Sequence, residues 1–326
     1  MVIINKFLKA CRNPYKILIK LINLSPVIYK NVPDKIYLGI LYKSIFRKKI
    51  NWDNPKTFNE KLQWLKLYDR KPIYTTLVDK YSVKKYVADK IGEQYIIPTL
   101  GVWDKFDDIN FDKLPNQFVL KCTHDSGGLA ICRDKTKFDV ESAKKKIEQS
   151  LKRNYFWPGR EWPYKNVCPR IIAEKYICDA SKEDLPDFKL MWLHSDIDKS
   201  DNLNDYKFYC FNGAVKFVMV NTDRNSTTPT KADYFDSNYK WLDFKWGYDH
   251  ANTPPPKPSK FNEMISIAEK LSKGIPHVRV DLYECHDCIY FGELTFFDGG
   301  GFEKFTPEKW DEKVGSLIEL PANVQL

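Results

Sequence analysis

The dipeptide Asn212-Gly213 constrains this chain more than any other pair of residues. It stands between two runs with strand character, Tyr206–Phe211 and Val215–Val220. A two-residue Asn-Gly link supplies the positive φ angles of a tight antiparallel hairpin. Val278–Tyr283 and Ile289–Phe297 make a second strand pair, closed by Glu284–Cys288. Phe118–Cys122 and Leu129–Cys132 make a third, joined by Thr123–Gly128, and Ile171–Ile177 is a further strand. Helical patterns alternate with these strands. Thr57 and Glu60 have capping-box spacing ahead of Leu62, Trp64 and Leu65. Further helices are expected over 75–91, stopped by Gly92, over 140–152, and over 262–273, stopped by Gly274. Antiparallel hairpins with intervening helices specify an α+β fold, not a doubly wound parallel sheet.

Charge divides the chain unevenly. The formal net charge is +9, yet residues 1–50 hold eleven basic groups and one acid, Asp34. The extension therefore carries about +10 and the remainder is near neutral, which argues against a nucleic-acid binder. Residues 1–50 mix Ile and Leu with Lys in helical pieces broken around Pro26 and Pro33. Such pieces lie on an anionic membrane or pack on the body of the protein, and the pattern leaves both open. No apolar run is long enough to span a bilayer. Lys20 interrupts the apolar stretch Ile17–Leu24 and no small-x-small site follows, so a cytoplasmic protein is expected, with peripheral contact at the inner membrane face as one of the two readings of residues 1–50. The expected organisation is a basic extension over 1–50, a body over 51–315 with parts 51–177 and 178–315, and a tail over 316–326.

The eight cysteines lie mostly in apolar surroundings and suit small buried thiols in a reducing compartment. Cys285 and Cys288 form a lone CxxC; a zinc site needs about four ligands, so a hairpin turn is the better account.

Two constellations carry chemistry. In the first, glycines and short polar residues of Thr123–Gly128 lie between antiparallel strands, where backbone N–H groups approach an anion closely. Lys121 feeds this loop, and no GxxxxGK[ST] pattern is present. In the second, the two-residue period places Arg279 and Asp281 on one face, and Glu293 and Thr295 on one face. Folding about 286–287 brings Asp281 opposite Glu293 to within one residue. Facing carboxylates repel unless they are exposed or share a cation, and a hard cation with oxygen ligands suits Mg²⁺. Glu174-Lys175-Tyr176-Ile177, taken alone, is an ordinary strand end.

In this order the pieces resemble the ATP-grasp superfamily, and more closely its TupA-like group of teichuronopeptide and other surface-polysaccharide biosynthesis. The matching motifs are NPKTFNEKLQWLKLYDR (54–70), LVDKYSVKKYV (77–87), FVLKCTHDSGG (118–128), PRIIAEKYI (169–177), DYKFYCFNG (205–213) and VRVDLYECHDCIYFGELTFFDGGGFEKF (278–305). The resemblance implies two α+β subdomains that clamp ATP. Lys80 and Lys121 would hold phosphates, with Thr123, Ser126, Gly127 and Gly128 in the loop above them. Glu174, Lys175, Tyr176 and Ile177 would face adenine, and Asp205 the ribose, preferred over Asp187 because the Asn-Gly hairpin follows it directly. Asp281, Glu293 and Thr295 would hold Mg²⁺; Thr295 departs from the family's usual Asn. Lys207 and Arg279 would act on the transferred phosphoryl group. The implied reaction is ADP-forming carboxylate–amine ligation through an acyl phosphate, on a sugar acid or polysaccharide precursor and an amine. A glycosyltransferase using Asp184–Asp187 or Asp196-Ile197-Asp198 is the alternative, and a non-catalytic scaffold a third reading.

Overall fold

The computed structural model describes residues 13–177, 204–222 and 229–322. Asp184, Asp187, Asp196 and Asp198 lie outside the described residues.

Helices α1 (Pro14–Leu24), α2 (Pro26–Asn31) and α3 (Asp34–Phe46) open the chain. Asn13 and Ser25 accept from the backbone N–H groups of Lys16 and Ile28, each ahead of a proline, so Pro14 and Pro26 start helices. Arg160 ties this layer to the body. Its side chain is fully buried, and its guanidinium stacks 4.4 Å from the Tyr37 ring and 4.7 Å from Trp157.

Helix α4 (Phe58–Tyr68) carries the expected capping box between Thr57 and Glu60. The helix expected over 75–91 is two, α5 (Ile73–Val78) and α6 (Ser82–Ile91). The break falls at Asp79-Lys80, where the Lys80 N–H leaves the helical ladder and donates to the Thr123 carbonyl at 3.0 Å. Tertiary pairing with the neighbouring loop overrides helical periodicity there.

A four-stranded antiparallel sheet follows. Its strands are β1 (Thr99–Trp103), β2 (Phe118–Cys122), β3 (Leu129–Cys132) and β4 (Ile171–Lys175), in the order β1-β4-β2-β3. Helix α7 (Val140–Leu151) covers it through Ala143 and Ile147. The larger sheet has β5 (Asp205–Phe211), β6 (Ala214–Thr222), β7 (Lys231–Asp236), β8 (His277–Cys285) and β9 (Cys288–Thr295), in the order β9-β8-β5-β6-β7. Helix α8 (Phe261–Ser272) packs on it, and α9 (Lys309–Gly315) packs on α4.

The two sheets build two cores that do not divide the chain at residue 177, and a small third cluster of Ile19, Ile22 and Tyr37 lies within α1–α3. Phe118, Leu120, Ile147, Ile171 and Ala173 belong to the small core. Phe58, Leu62, Leu77 and Val87 instead join Phe208, Val218, Val280 and Leu294 in the large one. The small sheet is thus inserted between α6 and the large sheet. The large core also takes in Ile318, beyond the boundary drawn at 315. The CxxC closes the β8–β9 hairpin as expected, with His286 and Asp287 both at positive φ. Four of the six cysteines found free among the described residues are buried.

Candidate functional site

Three adjacent strands of the large sheet set one row of charges. Lys207 on β5 is registered with Asp281 on β8, and Asp281 with Glu293 on β9. The single residue of slack left by the sequence is a bulge at Gly292, between the Phe291–Leu282 and Glu293–Asp281 pairs. A side chain at Gly292 would start 2.9 Å from the Tyr283 ring and 3.1 Å from the Asp281 carbonyl, so any larger residue would have to displace both neighbours.

A cation does lie between the facing carboxylates, and it is the Arg279 guanidinium. Nε donates to Asp281 Oδ1 at 2.6 Å and Nη2 to Asp281 Oδ2 at 2.7 Å. Nη2 also reaches Glu293 Oε1 at 3.2 Å, and Nη1 donates to Asp298. Lys207 Nζ bridges Asp205 at 2.6 Å and Asp281 at 2.5 Å. Burial alone would raise the Asp281 carboxyl pKa, but Arg279 and Lys207 hold it below the usual range. Burial and Arg279 press on the Lys207 ammonium, yet Asp205, Asp281 and Glu293 outweigh them and raise its pKa.

The small sheet brings a second charge cluster. Glu174 on β4 is almost fully buried, with Lys84 Nζ at 2.5 Å and Lys121 Nζ at 2.6 Å. Burial would raise its pKa, and the two lysines lower it instead. Lys80 links the sheets: its Nζ donates to the Asp125 carbonyl at 2.5 Å and lies 3.8 Å from Glu293 Oε2. The loop after Lys121 and the β8–β9 hairpin therefore meet across one lysine.

Some residues singled out from the sequence do other work. Thr123 is buried, and its hydroxyl donates to the Cys168 carbonyl at 3.3 Å and accepts from the Arg170 N–H at 3.2 Å. Gly128 is buried against Ser150 and Cys122, so these two residues shape the loop, while Ser126 and Gly127 are exposed at its tip. Lys175 is exposed, because the strand pleat turns it away from Glu174. Tyr176 and Ile177 follow half-buried, with the Tyr176 hydroxyl 3.3 Å from Arg133 Nε. Thr295 Oγ1 lies 3.3 Å from Glu293 Oε1.

Sequence reasoning missed Lys84, Asp125, Asp298, Glu161 and one face of α4. Asn59, Gln63 and Lys66 are all buried at i, i+4 and i+7 spacing. Asn59 Nδ2 donates to the Glu303 carbonyl at 3.0 Å, Gln63 Nε2 to Gly301 at 2.8 Å, and Lys66 Nζ to Gly300 at 2.6 Å. This polar stripe clamps the turn Asp298–Gly301, whose three glycines all have positive φ. The turn aims Asp298 at Arg279 and at the Tyr209 hydroxyl. Burial holds the Lys66 pKa below its ordinary value, against the pull of Glu161, and the Glu161 pKa above its own, against the pull of Lys66. A polar stripe at helical spacing beside apolar neighbours was the available signal.

Among the described residues no group of three or more His, Cys, Asp or Glu side chains is placed to hold a metal. The oxygen donors nonetheless fit Mg²⁺ in kind. Glu293 is the accessible one, at 39% side-chain exposure, while both Asp281 oxygens are engaged by cations.

The two sheets meet here, with paired lysines on one side and an Arg-Asp-Glu hairpin on the other. The family model of TupA-like ATPgrasp proteins matches residues 60–197 and 194–319, and the chain belongs to that family. The six sequence motifs pointed to the same family. No curated protein matches the chain. Among solved structures it is similar to the D-alanine–D-alanine ligase of Bacillus anthracis complexed with ATP. Identity there is 15% and the TM-score 0.36, over 68% of this chain and 54% of that one. It is also similar to the ATP-grasp ligase PsnB complexed with a minimal precursor variant, Mg and ADP, with 9% identity and TM-score 0.37, over 73% and 57%. A RimK domain ATP-grasp protein of Sphaerobacter thermophilus gives 10% identity and TM-score 0.38, over 77% and 70%. This chain thus spans little more than half the length of the first two.

Proposed function

We propose that the protein is an ATP- and Mg²⁺-dependent ligase that joins a carboxylate to an amine, with release of ADP and phosphate. Its carboxylate substrate is a sugar acid of a surface-polysaccharide precursor. The observation that supports this best is the convergence of Lys80, Lys121, Lys207, Arg279, Asp281 and Glu293 where the two sheets meet.

Lys80 and Lys121 hold ATP phosphates under the exposed tip Ser126-Gly127. The strand end from Glu174 through the backbone of Tyr176 and Ile177 faces the base, and Asp205 the ribose. The substrate carboxylate oxygen attacks the γ-phosphorus, the bond to the β-phosphate oxygen breaks, and ADP leaves. Lys207 and Arg279 balance the charge on the phosphoryl oxygens during transfer. The amine then attacks the acyl carbon of the mixed anhydride, and inorganic phosphate departs with its bonding pair and a proton. Glu293 and Asp281, with Thr295, are the residues that would hold Mg²⁺, which would supply further positive charge to the phosphates. Asp281 takes part once phosphate draws Arg279 or Lys207 from it.

The test is purified protein with Mg·ATP and a panel of uronates and amines. ADP and phosphate release that requires both an acid and an amine supports the reading. Consumption of a nucleotide sugar without ATP turnover overturns it in favour of glycosyl transfer.

A further inference from the structure

Helix α1 is apolar on two sides. Ile19 and Ile22 face inward and pack with Tyr37 of α3. Ile17, Leu18, Leu21 and Leu24 face outward, and Val27 and Ile28 of the following helix α2 are exposed as well. Leu24 is 77% exposed, Val27 71%, Leu21 56% and Ile28 51%. Single exposed aliphatic side chains are ordinary, whereas six within twelve residues form a patch that calls for a partner. The outer face of α7, by contrast, carries Glu141, Lys144, Lys145 and Glu148.

The charges beside the patch select the partner. Lys16, Lys20 and Lys30 are exposed, and residues 13–33 contain no acid. A second copy seated on this surface would bring like charges together at its rim. An anionic bilayer matches both features, with an acyl boundary for the aliphatic tips and phosphates for the ammonium groups. At 11 residues α1 is too short to cross a membrane, so a bilayer could take it only along the interface. We propose that α1 and α2 form a lipid-docking wedge that seats the protein on an anionic bilayer. Leu21, Leu24, Val27 and Ile28 enter the acyl boundary, and Lys16, Lys20 and Lys30 meet the headgroups. The wedge is rigidly mounted: buried Arg160 donates to the Tyr29 carbonyl at 2.5 Å, and Asp34 at the start of α3 pairs with Arg70 at 2.8 Å. Docking therefore also fixes the orientation of the body. The proposal stands apart from the ligase reading, since it needs no turnover.

The experiment is sedimentation of the full chain with vesicles of phosphatidylcholine, alone or mixed with phosphatidylglycerol. The comparison is with Leu21→Ser/Leu24→Ser/Val27→Ser/Ile28→Ser, whose changed positions are all exposed, and with Lys16→Ser/Lys20→Ser/Lys30→Ser. The wild type is expected to pellet with the anionic vesicles, and each variant to lose about tenfold or more in partitioning. Added salt should weaken the wild type. A Leu24→Trp chain should show blue-shifted emission only with anionic vesicles. Equal pelleting of wild type and the serine variant overturns the proposal, as does a wild type that binds no vesicle. A solution dimer that the aliphatic-to-serine variant dissolves would assign the patch to a second copy instead.

Discussion

Asp281 and Glu293 face each other in one hairpin, yet the structure assigns them unequal costs of neutralisation. Asp281→Asn removes a fully buried carboxylate from Arg279 and Lys207. Breaking a buried ion pair from one side costs about 3–5 kcal/mol. Arg279 keeps Asp298 and Glu293, and Lys207 keeps Asp205, so the lower end, about 3 kcal/mol, is expected. For a chain of this size that is roughly 6 °C in Tm. Glu293→Gln removes a charge at 39% side-chain exposure, with partners at 3.2 and 3.8 Å. Such a pair contributes about 0–1 kcal/mol, or roughly 2 °C at most. Ligand binding inverts the ranking of visible effect. Mg·ATP at about 100 times its Kd stabilises a site by about 2.7 kcal/mol. That shift should appear in the wild type and vanish in Glu293→Gln, whose fold is intact. Urea and thermal unfolding, each with ATP plus and minus Mg²⁺, measure both quantities, and calorimetric titration checks the affinity. Equal destabilisation by the two substitutions would refute the burial argument. An undiminished Mg²⁺-dependent ATP shift in Glu293→Gln would remove Glu293 from the metal site.

Lys121→Ala should weaken ATP by about tenfold or more in titration calorimetry, a change of about 1.4 kcal/mol or more. Tm should move little, because Glu174 retains Lys84 at 2.5 Å. Gly128→Ala places a methyl 2.5 Å from Ser150 Oγ and 2.7 Å from Cys122 Sγ, and should cost about 1–3 kcal/mol in chemical denaturation. Burial lowers the His277 pKa from 6.5 to about 4, so as pH falls below 6.5 the unfolded chain takes up a proton that the folded one refuses. Stability from this group, complete above pH 6.5, should fall by about 1.4 kcal/mol per unit until about pH 4. The stability profile of His277→Gln should be flatter than the wild type's across that window.

Elements whose cause is local were legible. The Thr57–Glu60 box, the Gly92 stop, the Asn212-Gly213 turn and the alternation of Arg279-x-Asp281 follow from neighbours within four residues. Elements whose cause is a distant partner were not. The break at Asp79-Lys80 depends on the Thr123 carbonyl, 43 residues away. The role of Asn59, Gln63 and Lys66 depends on carbonyls at 300–303, and a polar residue inside an apolar helix pattern defaults to the solvent side. Repulsion between Asp281 and Glu293 suggested a Mg²⁺ ion between them; that the Arg279 guanidinium occupies that place required the side chain's direction, which period-two reasoning left unspecified.

The same side chains explain why a metal belongs to the proposed chemistry. Lys80, Lys84, Lys121, Lys207 and Arg279 stand against Glu174, Asp205, Asp281, Glu293 and Asp298, so without nucleotide the junction is close to neutral. Each lysine is held by a carboxylate and none collapses onto the surface. That preorganisation has an electrostatic cost for an incoming polyphosphate. A tetraanion meets no net positive field, only cations already paired, and must compete with Asp281 for Arg279 and Lys207. A divalent cation arriving with the polyphosphate would remove half of its charge, and in the proposed reading Glu293 would help to hold it. If the nucleotide binds at this junction as proposed, the balanced pairing would make its entry depend on metal at the binding step, so ATP alone should bind far more weakly than Mg·ATP, as titration calorimetry with and without Mg²⁺ would show.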